Sequence, residues 1–363
     1  MLTSLSLKGY RAFKSLKVED LGQVNLFVGK NNCGKTTILE AAEILLSSDH
    51  PASIILGARR RGEKQIKNDR EGRVKDEIDI SHAFLGHVLD TDTSLKIEGA
   101  NRNKAEFVEY KIITTDAAIK EGLLSRGPEE LELDSKFSIF IKHSLWKNPI
   151  AMPLSSDNCL YSFTLRRQKI DVPSVKPVNF IRPELLPEIS LTKLWNQIQL
   201  TPEEDHVKDA LKIIEPKLID LRFLTSTYRY YDSIIIKLEG VSKPLPLGSL
   251  GDGIKHLLSK VISIVTASNG TVMVDEIDTG LHHTVMTDMW RVLIKTAKRL
   301  NVQVFATTHS LDCVRSLAWL HEQEPDICQD ARLHRVDIDY DKTTVYSAEE
   351  IAIAAKHHME IRG

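Results

Sequence analysis

Val24-Asn25-Leu26-Phe27-Val28-Gly29-Lys30-Asn31-Asn32-Cys33-Gly34-Lys35-Thr36 runs an apolar segment straight into a glycine turn and a lysine–threonine pair. Gly29–Thr36 fits GxxxxGK[ST] at every position. Beyond it Ile38, Leu39, Ala42, Ile44 and Leu45 recur at three- and four-residue spacing, the period of a helix. Strand, glycine loop and helix in that order leave backbone N–H groups and a helix N-terminus facing one point, where an anion is held. In that setting Lys35 reaches the β- and γ-phosphates of a nucleotide and Thr36 ligates Mg²⁺.

The same logic recurs downstream. Thr271-Val272-Met273-Val274-Asp275-Glu276 sets two acids directly after a buried strand. Asp275 is expected to hold Mg²⁺ near Thr36, and Glu276 to polarise an attacking water as general base. A glutamate here, rather than a glutamine, points to an ATPase that carries its own base. Val304-Phe305-Ala306-Thr307-Thr308-His309-Ser310 ends the next buried strand. Phosphate sites lie at the carboxyl ends of such strands, so His309 is aimed at the γ-phosphate. His282 and His283 have weaker claims. Upstream, Leu247-Gly248-Ser249-Leu250-Gly251-Asp252-Gly253-Ile254-Lys255 is a glycine-rich turn feeding a helix, a second anion site. One chain has no need of two cradles for one nucleotide, whereas a symmetric dimer does, each loop closing over the partner's ATP.

The rest of the chain supplies the frame. Apolar helix and strand periods at Ile254–Thr266, Thr271–Val274, Val285–Ala297, Val302–Thr307 and from Leu311 predict a doubly wound α/β core split by a middle segment. Four parts are expected. Residues 1–50 form an N-terminal ATPase lobe, and residues 51–175 a mixed strand-and-loop part with a mobile basic loop at 57–77. Residues 176–244 form a helical insertion, and residues 245–363 the C-terminal ATPase lobe. In the insertion, Thr201-Pro202-Glu203-Glu204 reads as a helix start, with Thr201 as cap and Glu204 closing a capping box.

The 363 residues are 42% hydrophobic and 27% charged, an ordinary globular mixture that excludes a disordered or collagen-like chain. Lys+Arg 48 against Asp+Glu 50 lends no global support to nucleic-acid binding, although residues 59–75 hold eight Lys/Arg against three Asp/Glu. Cys33, Cys159, Cys313 and Cys328 show no paired spacing, which argues for a reducing, cytoplasmic setting. No stretch approaches the roughly 18 apolar residues of a membrane helix, so no membrane partner is expected.

Phosphate loop, glycine-rich signature, Asp-Glu pair, Asp278 in Ile277-Asp278-Thr279-Gly280-Leu281-His282 and a histidine follow one another in a fixed order. With the opening LKGYRAFKSL, this order resembles the ABC-type ATPase heads of the SMC, recombination-mediator and OLD proteins, and above all the OLD-like bacterial AAA family ATPases. The resemblance covers roughly residues 1–45 and 245–363. It implies an α/β P-loop NTPase fold with an ABC-type head, and two heads holding two ATP molecules between them. It assigns Gly29, Asn31, Asn32, Cys33, Gly34, Lys35, Thr36 and Thr37 to phosphate and Mg²⁺, with Arg11 near the nucleotide. It gives Asp275 the metal, Glu276 the base, Asp278 the D-loop and His309 the switch position. Ser249, Gly251 and Gly253 act in trans.

The sequence departs from the family at three places. The signature reads SLGDG rather than LSGGQ. Phe180-Ile181-Arg182-Pro183 stands as the candidate for the glutamine loop. No Toprim nuclease domain is expected, and Asp337-Ile338-Asp339-Tyr340-Asp341 reads as a charged strand-turn.

Two functions follow as expectations. In the first, a homodimer or higher even oligomer is an ATP-gated switch controlling a separate effector, such as a Toprim nuclease, in bacterial anti-phage defence. In the second, the chain is a repair or recombination-mediator ATPase that binds DNA through residues 59–75. Long coiled-coil arms are absent from the pattern, so a compact type is the one implied.

Overall fold

The computed structural model describes residues 1–50, 52–68, 74–101, 104–124, 135–161, 175–224, 233–357 and 359–361. Two six-stranded sheets dominate. One is antiparallel throughout, in the order 13–18, 4–10, 94–100, 105–114, 137–143, 150–153. The other runs 178–181, 271–274, 303–307, 24–28, 331–335, 344–347, parallel except at the last pair. Strands Val24–Val28 and Gln303–Thr307 are buried along their whole length, as parallel strands covered on both faces must be. Their carboxyl ends carry the phosphate loop and Thr307–His309.

The helix Lys35–Leu46 follows the phosphate loop and packs between the sheets, against strands Ser94–Ala100 and Ala105–Thr114 on one side and Gln303–Thr307 on the other. It is therefore buried almost all round, including Glu40 and Glu43. A buried carboxylate must be paired, and arginines supply the partners. Glu40 is 1% exposed and is reached by Arg11 Nε at 3.0 Å and Arg61 Nε at 3.0 Å, while Glu43 pairs with Arg60. Burial pushes the Glu43 carboxyl upward, with Arg60 acting against that shift.

This arrangement revises the reading of residues 57–77. In place of a mobile loop, the basic segment begins as the end of the helix Ile54–Arg60, whose Ile54, Ile55, Gly57 and Ala58 are buried. It continues as strand Lys64–Asn68, antiparallel to Val74–Asp79, with Cys159–Tyr161 completing a small sheet. Hydrophobic anchoring and ion pairing to the phosphate-loop helix overrode the charge run. Residues 69–73 lie outside the described residues.

The segment 176–244 is also less helical than expected. Helices Glu188–Trp195 and Pro202–Lys212 are present, but Val178–Ile181 is an edge strand of the central sheet, and Leu218–Leu224 pairs with Ser233–Leu238. The capping box at Thr201 does not form. The Thr201 hydroxyl donates to the Ile198 carbonyl, and Glu204 accepts the N–H of Leu200 at 2.8 Å. Leu200 has φ 63° and turns the chain so that its own N–H, one residue early, is the one within reach. Asp337–Asp341 is a turn before Thr344–Ser347, closed by Tyr340 N–H to Asp337 O. No described helix is long and apolar enough to cross a membrane.

Candidate active site

A cleft of about 910 Å³ opens over the phosphate loop. Its floor and one wall are Asn31, Asn32, Gly34, Lys35, Thr36 and Thr37, with Glu276, Asp278 and His309 facing them. Loop geometry explains the residue types. Gly34 has φ 93°, and a Cβ there would stand 2.3 Å from the Phe13 ring. Only glycine lets the turn Tyr10–Phe13 close over the loop. Lys35 Nζ bonds Gly29 O at 2.9 Å and Lys30 O at 2.8 Å and lies 3.7 Å from Cys33 Sγ. Burial lowers the Lys35 pKa, with the Cys33 thiol, Asp275 and Glu276 acting in the opposite direction.

The Thr36 hydroxyl stands 3.0 and 3.1 Å from the two Asp275 carboxylate oxygens. A hydroxyl and a carboxylate at the edge of an anion cradle are the hard oxygen groups that suit Mg²⁺, which keeps several waters and takes only one or two protein ligands. Among the described residues no group of three or more His, Cys, Asp or Glu forms a dedicated metal cage. Glu276 follows with φ 49°, a left-handed conformation that a non-glycine residue holds only when its surroundings fix it. Thr307 does so, accepting the Glu276 N–H at 2.8 Å, and the Thr279 hydroxyl holds Glu276 Oε2 at 3.2 Å.

Asp278 accepts the hydroxyl of Thr308, and Thr308 in turn accepts the N–H of Ser310 at 2.9 Å, so the turn carrying His309 is tied to the Asp278 loop. Arg11 does line the cleft, but its charge is committed. Nη1 and Nη2 take both carboxylate oxygens of Glu63, at 2.8 and 3.2 Å, while Nε faces Glu40.

Ser249, Gly251 and Gly253 do not line this cleft. Ser249 and Gly251 are exposed, Gly251 has φ 90°, and helix Asp252–Thr266 begins directly behind them. That helix presses on the Asp278 loop, since a Cβ on Gly280 would meet the His256 ring at 2.0 Å. His282 and His283 are exposed, their ring centroids 4.1 Å apart. Phe180 sits under the Arg60 guanidinium, 3.8 Å from ring centroid to Cζ, and Arg182 is exposed beside Glu184. All four cysteines are buried and none is in a disulfide.

Sequence reasoning missed Thr307, Thr308, Glu40 and Glu63 as working parts. The two threonines were visible between a strand and His309, but only the tertiary fold shows Thr307 bonded to Asp275 and Thr308 to Asp278. The acids carried no signal, because nothing in helix periodicity distinguishes a buried glutamate from a solvated one.

Among known proteins, an ATP/GTP phosphatase of Helicobacter pylori is 22% identical over 345 residues, 87% of each chain. An uncharacterized protein of Methanocaldococcus jannaschii is 32% identical over 122 residues, 31% of this chain and 54% of that one. Solved structures similar to it include the SMC head domain from Thermotoga maritima, with TM-score 0.47 and 13% identity over 95% of this chain and 98% of that chain. An Smc head domain derived from Pyrococcus furiosus gives TM-score 0.48 and 10% identity over 98% and 99%. The family described as "AAA domain, putative AbiEii toxin, Type IV TA system" matches residues 24–312. Since that match spans well over half of the chain, from the strand before the phosphate loop to beyond His309, the protein belongs to this AAA-domain family and is an ATPase.

Proposed function

We propose that the chain is an ATP-gated switch: two copies close face to face around two ATP molecules and control a separate protein effector in bacterial genome conflict. The observation that carries this reading is the placement of Ser249 and Gly251, exposed and outside the chain's own cleft, yet backed by a helix in contact with the Asp278 loop. A glycine turn at a helix N-terminus is an anion site, and here it faces outward, where a second copy can bring its nucleotide. Lys35 and the loop amides would hold the phosphates, Thr36 and Asp275 would hold Mg²⁺, and Glu276 would take a proton from the attacking water. Bound Mg²⁺ supplies charge neutralisation at the phosphates. The family's description as a putative toxin of a type IV toxin–antitoxin system fits a protein that works as one of a pair. Binding to DNA through residues 59–75 has less support, because Arg60 and Arg61 are paired with Glu43 and Glu40.

Light scattering of Glu276→Gln after size exclusion, with and without Mg-ATP, tests the switch. A doubling of mass only with ATP is expected. An unchanged mass would leave the glycine segment without a role in trans and remove this reading.

A further inference from the structure

Arg11 stands at the phosphate cleft between two acids that differ in kind. Glu40 lies on the buried helix Lys35–Leu46, its side chain 1% exposed and shared with Arg61, so it has no route to water. Glu63 lines the cleft itself, its side chain 15% exposed, and its two carboxylate oxygens accept Nη1 and Nη2 of Arg11 at 2.8 and 3.2 Å. Both backbones are pinned. The turn carrying Arg11 is closed over the phosphate loop by Phe13 against Gly34, and the Arg11 N–H donates to the Ala83 carbonyl at 2.8 Å. The Glu63 N–H donates to the Ala58 carbonyl at 2.9 Å, and the Glu63 carbonyl accepts the Asp79 N–H at 3.1 Å. Only rotation of the Glu63 side chain therefore separates this pair from a cleft that the phosphate loop also lines.

A guanidinium presents a parallel pair of N–H groups that suits a carboxylate or a phosphate, and the same pair cannot serve both at once. Phosphates entering the cleft either meet the Glu63 charge beside them or take the Arg11 fork and release Glu63. The second course joins the cation to the more highly charged anion and returns a carboxylate at the cleft wall to water, while Glu40 keeps its hold on Nε. Arg61 is no substitute, because its Nε and Nη2 are both on Glu40, at 3.0 and 3.3 Å.

We propose that Glu63 is an affinity-setting residue of the phosphate site: it competes with the nucleotide's phosphates for the Nη1–Nη2 fork of Arg11 and is displaced when they bind. Each binding event exchanges one ion pair for another, so affinity stays below what Lys35, the loop amides and an unclaimed Arg11 would give together. The proposal rests on the phosphate-site reading above and is independent of the pairing of two copies.

Isothermal titration of the full chain with Mg-tripolyphosphate and Mg-ATP tests this in wild type, Glu63→Gln, Glu63→Asp, Arg11→Gln and Arg11→Gln/Glu63→Gln. Glu63→Gln should bind both ligands at least about fivefold more tightly. Glu63→Asp keeps the charge but is one methylene too short to hold both nitrogens, and should gain at least about threefold. In the Arg11→Gln background the Glu63→Gln gain should vanish. A gain that persists without Arg11, or an aspartate variant that binds as wild type does, would show general charge repulsion and overturn the competition. Unchanged or weaker binding in Glu63→Gln would make Glu63 a buttress for Arg11 and overturn it likewise, leaving the phosphate site standing. Should Arg11→Gln fail to fold, the aspartate variant alone decides between contact and charge. Failure of wild type to bind either ligand would overturn the phosphate-site reading together with this one.

Discussion

Thr307 Oγ1 donates to Asp275 Oδ1 across 2.6 Å and accepts the Glu276 N–H at 2.8 Å, so one hydroxyl on strand Gln303–Thr307 sets both acids at the end of the neighbouring strand. Thr36 meets the same carboxylate from the phosphate-loop side. Asp275 is thus fixed between two threonines, and the left-handed backbone of Glu276 is anchored by the same group that orients its neighbour. Thr307→Val keeps the volume and removes the hydroxyl, leaving the half-buried Glu276 N–H without its partner. We expect nucleotide affinity within about threefold of wild type and a fall in kcat of roughly tenfold or more. Steady-state hydrolysis beside equilibrium binding checks it; equal losses in both would assign Thr307 to binding instead.

Lys35 and Glu276 occupy opposite walls of the cleft, and their removal should have different consequences. Lys35→Ala deletes the ammonium that bridges Gly29 O and Lys30 O and should weaken ATP binding by at least tenfold. Glu276→Gln keeps the Thr279 contact and should bind ATP as wild type does while hydrolysing it at least a hundredfold more slowly. Fluorescent-nucleotide binding and single-turnover hydrolysis on both variants separate the two roles. Loss of ATP binding in Glu276→Gln would contradict the assignment of base.

Glu40 is the acid on which Arg11 and Arg61 converge, at 1% exposure and with Arg11 itself buried. Removing its charge leaves the buried Arg11 with Glu63 alone and the partly exposed Arg61 without a carboxylate, at a cost of up to about 3–5 kcal/mol. Glu40→Gln should therefore lower the denaturation midpoint markedly, and should loosen the Arg11 turn that roofs the phosphate loop. Urea unfolding checks it, and a variant as stable as wild type would mean that Glu63 alone suffices to hold Arg11.

The sequence made the chemistry legible where chemistry depends on local order. Gly29–Thr36, Asp275, Glu276 and His309 sit at strand ends, and strand ends show in the apolar runs before them. The structure brings Lys35, Thr36, Glu276, Asp278 and His309 to one cleft, with Asp275 bonded to Thr36 behind it. What stayed illegible depended on tertiary pairing. The charge run at 59–61 read as solvated because its partners, Glu40 and Glu43, lie about 20 residues earlier on a helix whose burial on all sides comes from two sheets. Strand Val178–Ile181 was hidden because four residues at a sheet edge are too few to show a period.

Lys260 carries a pH signature on the alkaline side. It lies on helix Asp252–Thr266 at 3% exposure, and burial pushes its pKa down to about 8, with Asp278 and the Cys313 thiol acting in the opposite direction. An unfolded lysine titrates near 10.4, so between about pH 8 and 10.4 the unfolded chain binds more protons at this site than the folded one. Stability contributed by this group therefore rises with pH across that window. Below pH 8 the folded protein bears the full penalty of a buried ammonium, roughly 3 kcal/mol for a shift of this size. Lys260→Met removes the charge and keeps the length, so it should be more stable than wild type at pH 7, with the difference shrinking towards pH 10. Tyr10 and Tyr110, whose buried phenols have raised pKa values, weaken both proteins alike at the alkaline end and drop out of the comparison. Denaturant titrations of the pair at pH 7, 8, 9 and 10 provide the check. A constant difference would mean that the gain comes from packing and that Lys260 titrates alike in the folded and the unfolded chain. A variant less stable than wild type at pH 7 would mean that the charge is held there by Asp278, making Lys260 the link between the helix behind the signature and the loop that faces His309.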